Sequence, residues 1–434
     1  MYTEALRNWE AHYEQKGSSA ANDFRSDTVT IPSGTMLTSI LSNAAGFGDD
    51  VFSEDQPTNS LEQFAADITG MHSAVFVLSG TMGNQIAIRS LLKQPPYSVI
   101  CNRHSHLFLY ECGTVSAFSQ AQMIPVIPRK STHMTLEDIV PNIVPDDGDT
   151  HCAPTRVTSI ENTIGGKIVP FAEVKRISNY ARTKRIFVHI DGARLWNACY
   201  PQQTGLTTAQ AAENALYLLK SYCSLADTVS LCLSKSLGAP GGSLLVSNSP
   251  DIVSRARHFR KAMGGGMRQI GVLTAPGRVA IESVFLSGEH LPRANAIARR
   301  LEGTWKSLGG RILPALDQET NMVWLDLNVL GITDEEFVRI VSPYGVKVAD
   351  GRLVTHYPFT RFNPYIFNGE GQISIKITKD SMLKWMTATD GVGLDNQSVN
   401  NLGANGEVPI EYSTILNMTL SWQQLLVTCA ITEI

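Results

Sequence analysis

Residues 230–242, SLCLSKSLGAPGG, lead from an apolar, β-rich run through Ser234 and Lys235 into a loop dense in glycine and proline. A short apolar run closed by turn residues is the pattern of a strand buried on both faces. The stretch therefore sets a lone ammonium where a buried strand gives way to a turn. Such a lysine is either an ordinary solvated loop residue or a group delivered to a site at a strand end. Six further runs of the same kind bear on the choice: SAVFVLSGT (73–81), YSVICNRHSH (97–106), QMIPVIP (122–128), TRVTSIENT (155–163), RIFVHIDGAR (185–194) and GSLLVSN (242–248). Between them lie stretches with helical spacing of apolar residues, such as MGNQIAIRSLLKQ (82–94) and FAEVKRISNYARTK (171–184). This alternation predicts an α/β fold, a mostly parallel sheet with helices on both faces. Ligands of such sheets collect at the carboxyl ends of the strands.

A chain of 434 residues, 43% hydrophobic and 18% charged, has an ordinary globular composition and is long for a single lobe. A large lobe is expected over residues 23–287, after an N-terminal helical segment at 1–22. A long helical region at roughly 268–308 leads into a smaller α+β lobe at 288–395, with strands in NMVWLDL (321–327), GVKVADGRLVTHY (345–357) and GQISIKI (371–377). An extension at 396–434 ends in WQQLLVTCAITEI, readable as a docking helix or strand. The formal net charge of −4 supplies no basic field for nucleic acid or a membrane surface, which favours a small-molecule partner. Seven scattered cysteines show neither zinc-site spacing nor a disulfide framework, so no metal is expected. The acidic N-terminal stretch and the lack of any run of about 18 apolar residues fit a cytoplasmic protein.

Polar residues accumulate at the ends of the apolar runs. Ser79, Gly80 and Thr81 stand between a strand and a helix, where free N–H groups and a hydroxyl either cap the helix or bind an anion. Asp191 closes another run, and Arg194 follows three residues later. A carboxylate at a buried strand end needs a cation or hydrogen-bond donors. Asp191 and Arg194 can pair internally; alternatively, Asp191 faces a protonated ring nitrogen and Arg194 holds a substrate carboxylate through its fork. With Lys235 for a Schiff base and Ser234 to add a hydroxyl to a phosphate, these parts meet the needs of pyridoxal 5'-phosphate chemistry.

Nine segments then resemble, in order, the threonine aldolase and β-eliminating lyase family of fold-type I pyridoxal-phosphate enzymes. They are DFRSDTVT (23–30), GFGDDVFSED (46–55), LSGTMGNQIA (78–87), HLFLYE (106–111), ENTIGGKIVP (161–170), HIDGARLWNA (189–198), LCLSKSLGAP (231–240), RKAMGGGMRQ (260–269) and GRLVTHY (351–357). The resemblance implies Lys235 as the Schiff-base lysine, Asp191 as the partner of the ring nitrogen, Gly80, Thr81 and Ser234 at the phosphate, and His106 stacked on the ring. It implies Ser26, Arg194 and Arg352 at the substrate carboxylate, His106 or His151 as the base near a β-hydroxyl, and Glu111 as a supporting group. Lys261 and Arg268 resemble basic residues that reach a neighbouring subunit's cofactor phosphate, which implies a homodimer or homotetramer with shared sites. As an isolated observation, that pair reads as a solvated helix end.

The implied reaction is cleavage of a β-hydroxy-α-amino acid to glycine and an aldehyde. Two positions depart from the family pattern: Phe52 stands where a tyrosine is usual, and Ile164 where a histidine is common. Apolar groups near the substrate side chain would also suit a methyl group, so a second reading is an alanine racemase like those fungal relatives that serve peptide natural-product biosynthesis. A non-catalytic cofactor-binding protein is the third; loss of Lys235 or Asp191 would have favoured it, and both are present.

Overall fold

A computed structural model describes residues 20–129, 132–202, 205–307 and 309–357. Seven strands form the main sheet: β1 (Ser73–Val77), β2 (Ser98–Asn102), β3 (Gln122–Val126), β4 (Thr155–Glu161), β5 (Phe187–Asp191), β6 (Thr228–Cys232) and β7 (Ser243–Ser247). Each lies within one of the apolar runs read from the sequence except β6, which starts two residues before the stretch quoted for it. The spatial order is β1-β7-β6-β5-β4-β2-β3. Only β7 runs antiparallel to its neighbours, so the carboxyl ends of the other six meet one edge of the sheet. Every residue of β2, β6 and β7 is buried, as expected of strands covered on both faces.

The principal helices are α1 (Gly34–Ser42), α2 (Gln56–Thr69), α3 (Gly80–Leu91), α4 (His106–Leu109), α5 (Phe171–Thr183), α6 (Leu195–Ala198), α7 (Thr208–Cys223), α8 (Pro250–Ala262), α9 (Gly271–Ala280), α10 (His290–Ser307) and α11 (Asp334–Val341). Helix α3 starts where β1 ends and is capped by Ser79, whose hydroxyl accepts from Met82 N–H at 3.1 Å. It then crosses β6 at very short range. A Cβ on Gly83 would stand 2.5 Å from Ser230 Oγ, so only glycine lets helix and strand approach this closely.

The helical region expected at 268–308 is divided. Helix α9 passes into a π-helical turn at Ile281–Phe285, and Gly288, at φ +69°, separates that turn from α10. A positive φ is incompatible with continued helix and costs glycine little. The amphipathic pattern that runs across the break does not register it.

Helix α10 joins two apolar cores. Its Leu291 belongs to the large core around the main sheet. Its Ala298, Leu301 and Trp305 pack with Phe24, Val323, Phe337 and Leu353 in a second core, against the antiparallel pair β8 (Met322–Trp324) and β9 (Arg352–Val354). The expected helix at 1–22, the strand at 371–377 and the extension at 396–434 lie outside the described residues, apart from residues 20–22.

Candidate active site

The parallel strands deliver a row of polar groups to one rim of the sheet. In register, Glu161 on β4 stands beside Asp191 on β5, and Asp191 beside Ser230 on β6. Cys232 is paired with Ser243, which is paired with Val77, so the turn after β1 meets the turn after β6. The α carbon of Gly80 accordingly points at Cys232, with a built Cβ 4.0 Å from the Cys232 Cβ. Ser234 lies 3.5 Å from Cys232 Sγ through its hydroxyl. Among the described residues no hydrogen bond occupies the N–H groups of Gly80 and Thr81. Two open donors at the N-terminus of a twelve-residue helix, with a hydroxyl opposite, can hold an anion.

Lys235 follows on the same turn, half-buried, its carbonyl fixed by the Thr30 hydroxyl at 2.8 Å. Asp191 is buried at the rim and accepts two hydrogen bonds, from Asn84 Nδ2 at 2.8 Å and from Ala193 N–H at 3.0 Å. It makes no ion pair among the described residues. The internal Asp191–Arg194 pair open to the sequence is not formed. Arg194 instead grips Asp27, Nε to Oδ2 at 2.8 Å and Nη2 to Oδ1 at 2.6 Å. That arrangement leaves Nη1 of Arg194 without a hydrogen bond among the described residues.

Asp27 is the residue that inspection of the sequence did not single out. It is fully buried and also accepts from Ser236 Oγ at 2.8 Å and Asn321 Nδ2 at 3.3 Å. Burial works against its charge, yet the Arg194 guanidinium, aided by Lys235 and Ser236, holds its carboxyl well below the usual range. Arg352, at the head of β9, donates Nη2 to Arg25 carbonyl at 3.1 Å while its buried Nε has no partner. Ser26 caps the short 3₁₀ turn that carries Asp27, accepting from Thr28 N–H.

His106 begins α4 and shares Nδ1 with Glu111 Oε1 at 2.9 Å. Glu111 is buried and takes further N–H bonds from Asn84 and Gln85, which mark it as an acceptor and so as a carboxylate. The Glu111 hydrogen bond raises the His106 pKa above its ordinary value. Asn84 links the two carboxylates: Nδ2 donates to Glu111 and Asp191, which leaves Oδ1 to accept from His189 Nε2 at 3.1 Å. Burial depresses His189 to about 4, so it serves this network as a neutral imidazole.

Other expected residues lie elsewhere. His151 sits on a turn with its side chain 90% exposed, hydrogen-bonded to Asp149, and no contact joins it to Lys235, Asp191 or His106 among the described residues. Lys261, in the last turn of α8, and Arg268, on the segment after it, are both exposed, and Arg268 pairs with Asp49 at 2.8 Å. Phe52 is 70% exposed on the loop that also carries Asp49, whereas Ile164 is buried in a tight turn bridged to Lys167.

Pyridoxal phosphate fits what the chain supplies. The open N–H groups of α3 and Ser234 match its phosphate, Lys235 its carbonyl, and the buried Asp191, which lacks a cation of its own, its ring nitrogen. Six cysteines are free and no group of metal-ligating side chains occurs among the described residues.

Comparison with known proteins shows the family. The model of the β-eliminating lyase family matches residues 23–328. Aldolase vrtJ of Penicillium aethiopicum is 44% identical over 338 residues, covering 78% of this chain and 82% of that protein. The low-specificity L-threonine aldolase of Candida albicans is 39% identical, covering 80% and 88%. Alanine racemase TOXG of Cochliobolus carbonum is 38% identical, covering 78% and 84%. A solved structure of Leishmania major threonine aldolase superposes with a TM-score of 0.64 at 20% identity, covering 78% of this chain and 95% of that one. With its strand-end lysine and aspartate in place, the chain belongs to the β-eliminating lyase family and is a pyridoxal-phosphate lyase of threonine aldolase type.

Proposed function

We propose that the enzyme cleaves β-hydroxy-α-amino acids of the threonine and allo-threonine type to glycine and an aldehyde. The observation that carries this reading is the convergence at one rim of Lys235, Asp191, the His106–Glu111 pair and an Arg194 fork with one free edge. Bound pyridoxal phosphate supplies a sink for the electron pair released when Cα–Cβ breaks. The chain's residues do the remaining work. Asp191 retains the proton on the ring nitrogen, which keeps that sink deep. The N–H groups of Gly80 and Thr81, with Ser234, fix the phosphate. Arg194 Nη1, with Ser26 and Arg352, holds the substrate carboxylate and thereby sets which bond at Cα is aligned for cleavage. With Nδ1 of His106 committed to Glu111, Nε2 is the ring atom that accepts the β-hydroxyl proton. His151 has no part in this scheme within one chain.

The setting we propose is a cytoplasmic homo-oligomer. Among the described residues no helix is long and apolar enough to cross a membrane. Alanine racemisation is the second reading, supported by the identity to alanine racemase TOXG. The deciding experiment incubates the protein, loaded with pyridoxal phosphate, with L-threonine, L-allo-threonine and L-alanine in heavy water. Glycine and acetaldehyde from a threonine isomer, with L-alanine recovered uninverted, are expected. D-alanine carrying α-deuterium beside intact threonine overturns the aldolase reading in favour of the racemase.

A further inference from the structure

Glu161 ends β4 directly beside Asp191, and the two carboxyl groups differ in one decisive respect. Both oxygens of Asp191 accept N–H bonds, whereas Glu161 accepts one, from His106 N–H to Oε2 at 2.6 Å. Its Oε1 has no hydrogen bond among the described residues, and neither acid has an ion-pair partner there. Two carboxylates side by side, Asp191 buried and Glu161 partly so, repel, so the pair is stable with a proton on one of them. The proton belongs on Glu161, because two N–H donors stabilise the ionised form of Asp191 and leave it no room to donate.

We propose that Glu161 is a proton-holding residue of the cofactor site: with Asp191 it forms a two-carboxylate pair that carries one proton and presents a single negative charge to a single ring cation. This rests on the pyridoxal-phosphate reading of the site. The groups that face Glu161 are Asp191 from β5, His106 from α4, Lys235 from the turn after β6, Arg194 at the start of α6 and the Cys101 thiol of β2. Burial, followed by the Asp191 charge, pushes Glu161 up to about 7, outweighing the opposing pull of the His106 hydrogen bond and of Lys235. Cofactor binding, which covers the rim, adds to the first of these effects. A deprotonated Glu161 would give the ring nitrogen two anions to share, and the excess charge would be left buried.

The test has two arms. The first needs no cofactor: infrared difference spectra of the ligand-free full chain, wild type minus Glu161→Gln, recorded across neutral pH. A protonated-carboxyl carbonyl band that the substitution removes is expected, and Asp191→Asn should move the titration of that band to lower pH, because the neighbouring anion is gone. A purely structural Glu161 would show neither change. The second arm titrates pyridoxal phosphate into each protein. Glu161→Gln, which mimics the protonated acid, should bind within about threefold of wild type, while Asp191→Asn should bind on the order of ten- to a hundredfold more weakly. No protonated-carboxyl band at neutral pH, or a loss of affinity in Glu161→Gln equal to that in Asp191→Asn, overturns the proposal. If Asp191→Asn binds the cofactor normally, the cofactor reading of the rim fails, and the infrared arm still decides the charge of the pair.

Discussion

At the scale of single residues, the site is defined by who holds whom. His106 is useful as a base only while neutral, and Glu111 works against this by stabilising its charged form. The return is a fixed tautomer, with Nδ1 turned to Glu111, which in the proposed reaction leaves Nε2 to the substrate. The sign of the consequence follows: activity is absent where His106 is protonated and appears as pH rises through its raised pKa. Glu111→Gln removes the charge, so the acid limb of kcat/KM should move to lower pH while the maximum falls; an unmoved limb would mean that another group is the base. Asp27 invites a different test. It is buried with Arg194, and cutting one member from such a pair strands the other charge, at about 3–5 kcal/mol. Asp27→Asn should therefore lower the unfolding free energy by that order and raise KM for the amino acid more than it lowers kcat, since Arg194 loses its aim. Thermal unfolding and steady-state kinetics check both. Lys235, Asp191 and the α3 turn were legible in the sequence because each follows an apolar run directly. Asp27 and Glu161 were not, although both lie in quoted motifs. Their meaning depends on neighbours 167 residues away in one case and on strand register in the other, and local spacing encodes neither.

At the scale of elements, the seven strands could be read because a strand buried on both faces must be apolar almost throughout, which leaves a mark on the sequence. The break between α9 and α10 could not, since amphipathic spacing continues past Gly288 and one glycine is a weak signal within it. The contact of α3 with β6 is the element-level device that brings the proposed anion-binding turn to the lysine turn. Gly83→Ala would set a methyl group 2.5 Å from Ser230 Oγ, and overpacking of this kind costs about 1–3 kcal/mol. Because the helix must lift from the strand, the Gly80 and Thr81 donors should also move off the phosphate. Lower thermal stability together with weaker pyridoxal phosphate binding is expected, and Ser230→Gly in the same chain should restore much of both. Equal losses in the single and double variants would show that the close approach does not set the position of the turn.

At the scale of the whole molecule, one chain brings together the groups proposed to hold the cofactor's ring and phosphate but leaves several implied residues at its surface. Lys261 is exposed, Arg268 is engaged with Asp49 of its own chain, and Phe52 projects from the same neighbourhood. Large exposed aromatic groups next to basic residues are what a contact between copies would cover. If Lys261 serves the phosphate of a second subunit, the lesions Lys235→Ala and Lys261→Ala fall in the same site of a mixed dimer. One site then carries both defects and the other carries neither. Co-refolding the two impaired variants should therefore recover lyase activity that neither has alone, in proportion to the mixed species separated by charge tagging. If Lys261 acts only within its own chain, every site of the mixed species keeps one lesion, and activity stays at the average of the two parents. The same mixture, sized by analytical ultracentrifugation, distinguishes failure to associate from association without sharing.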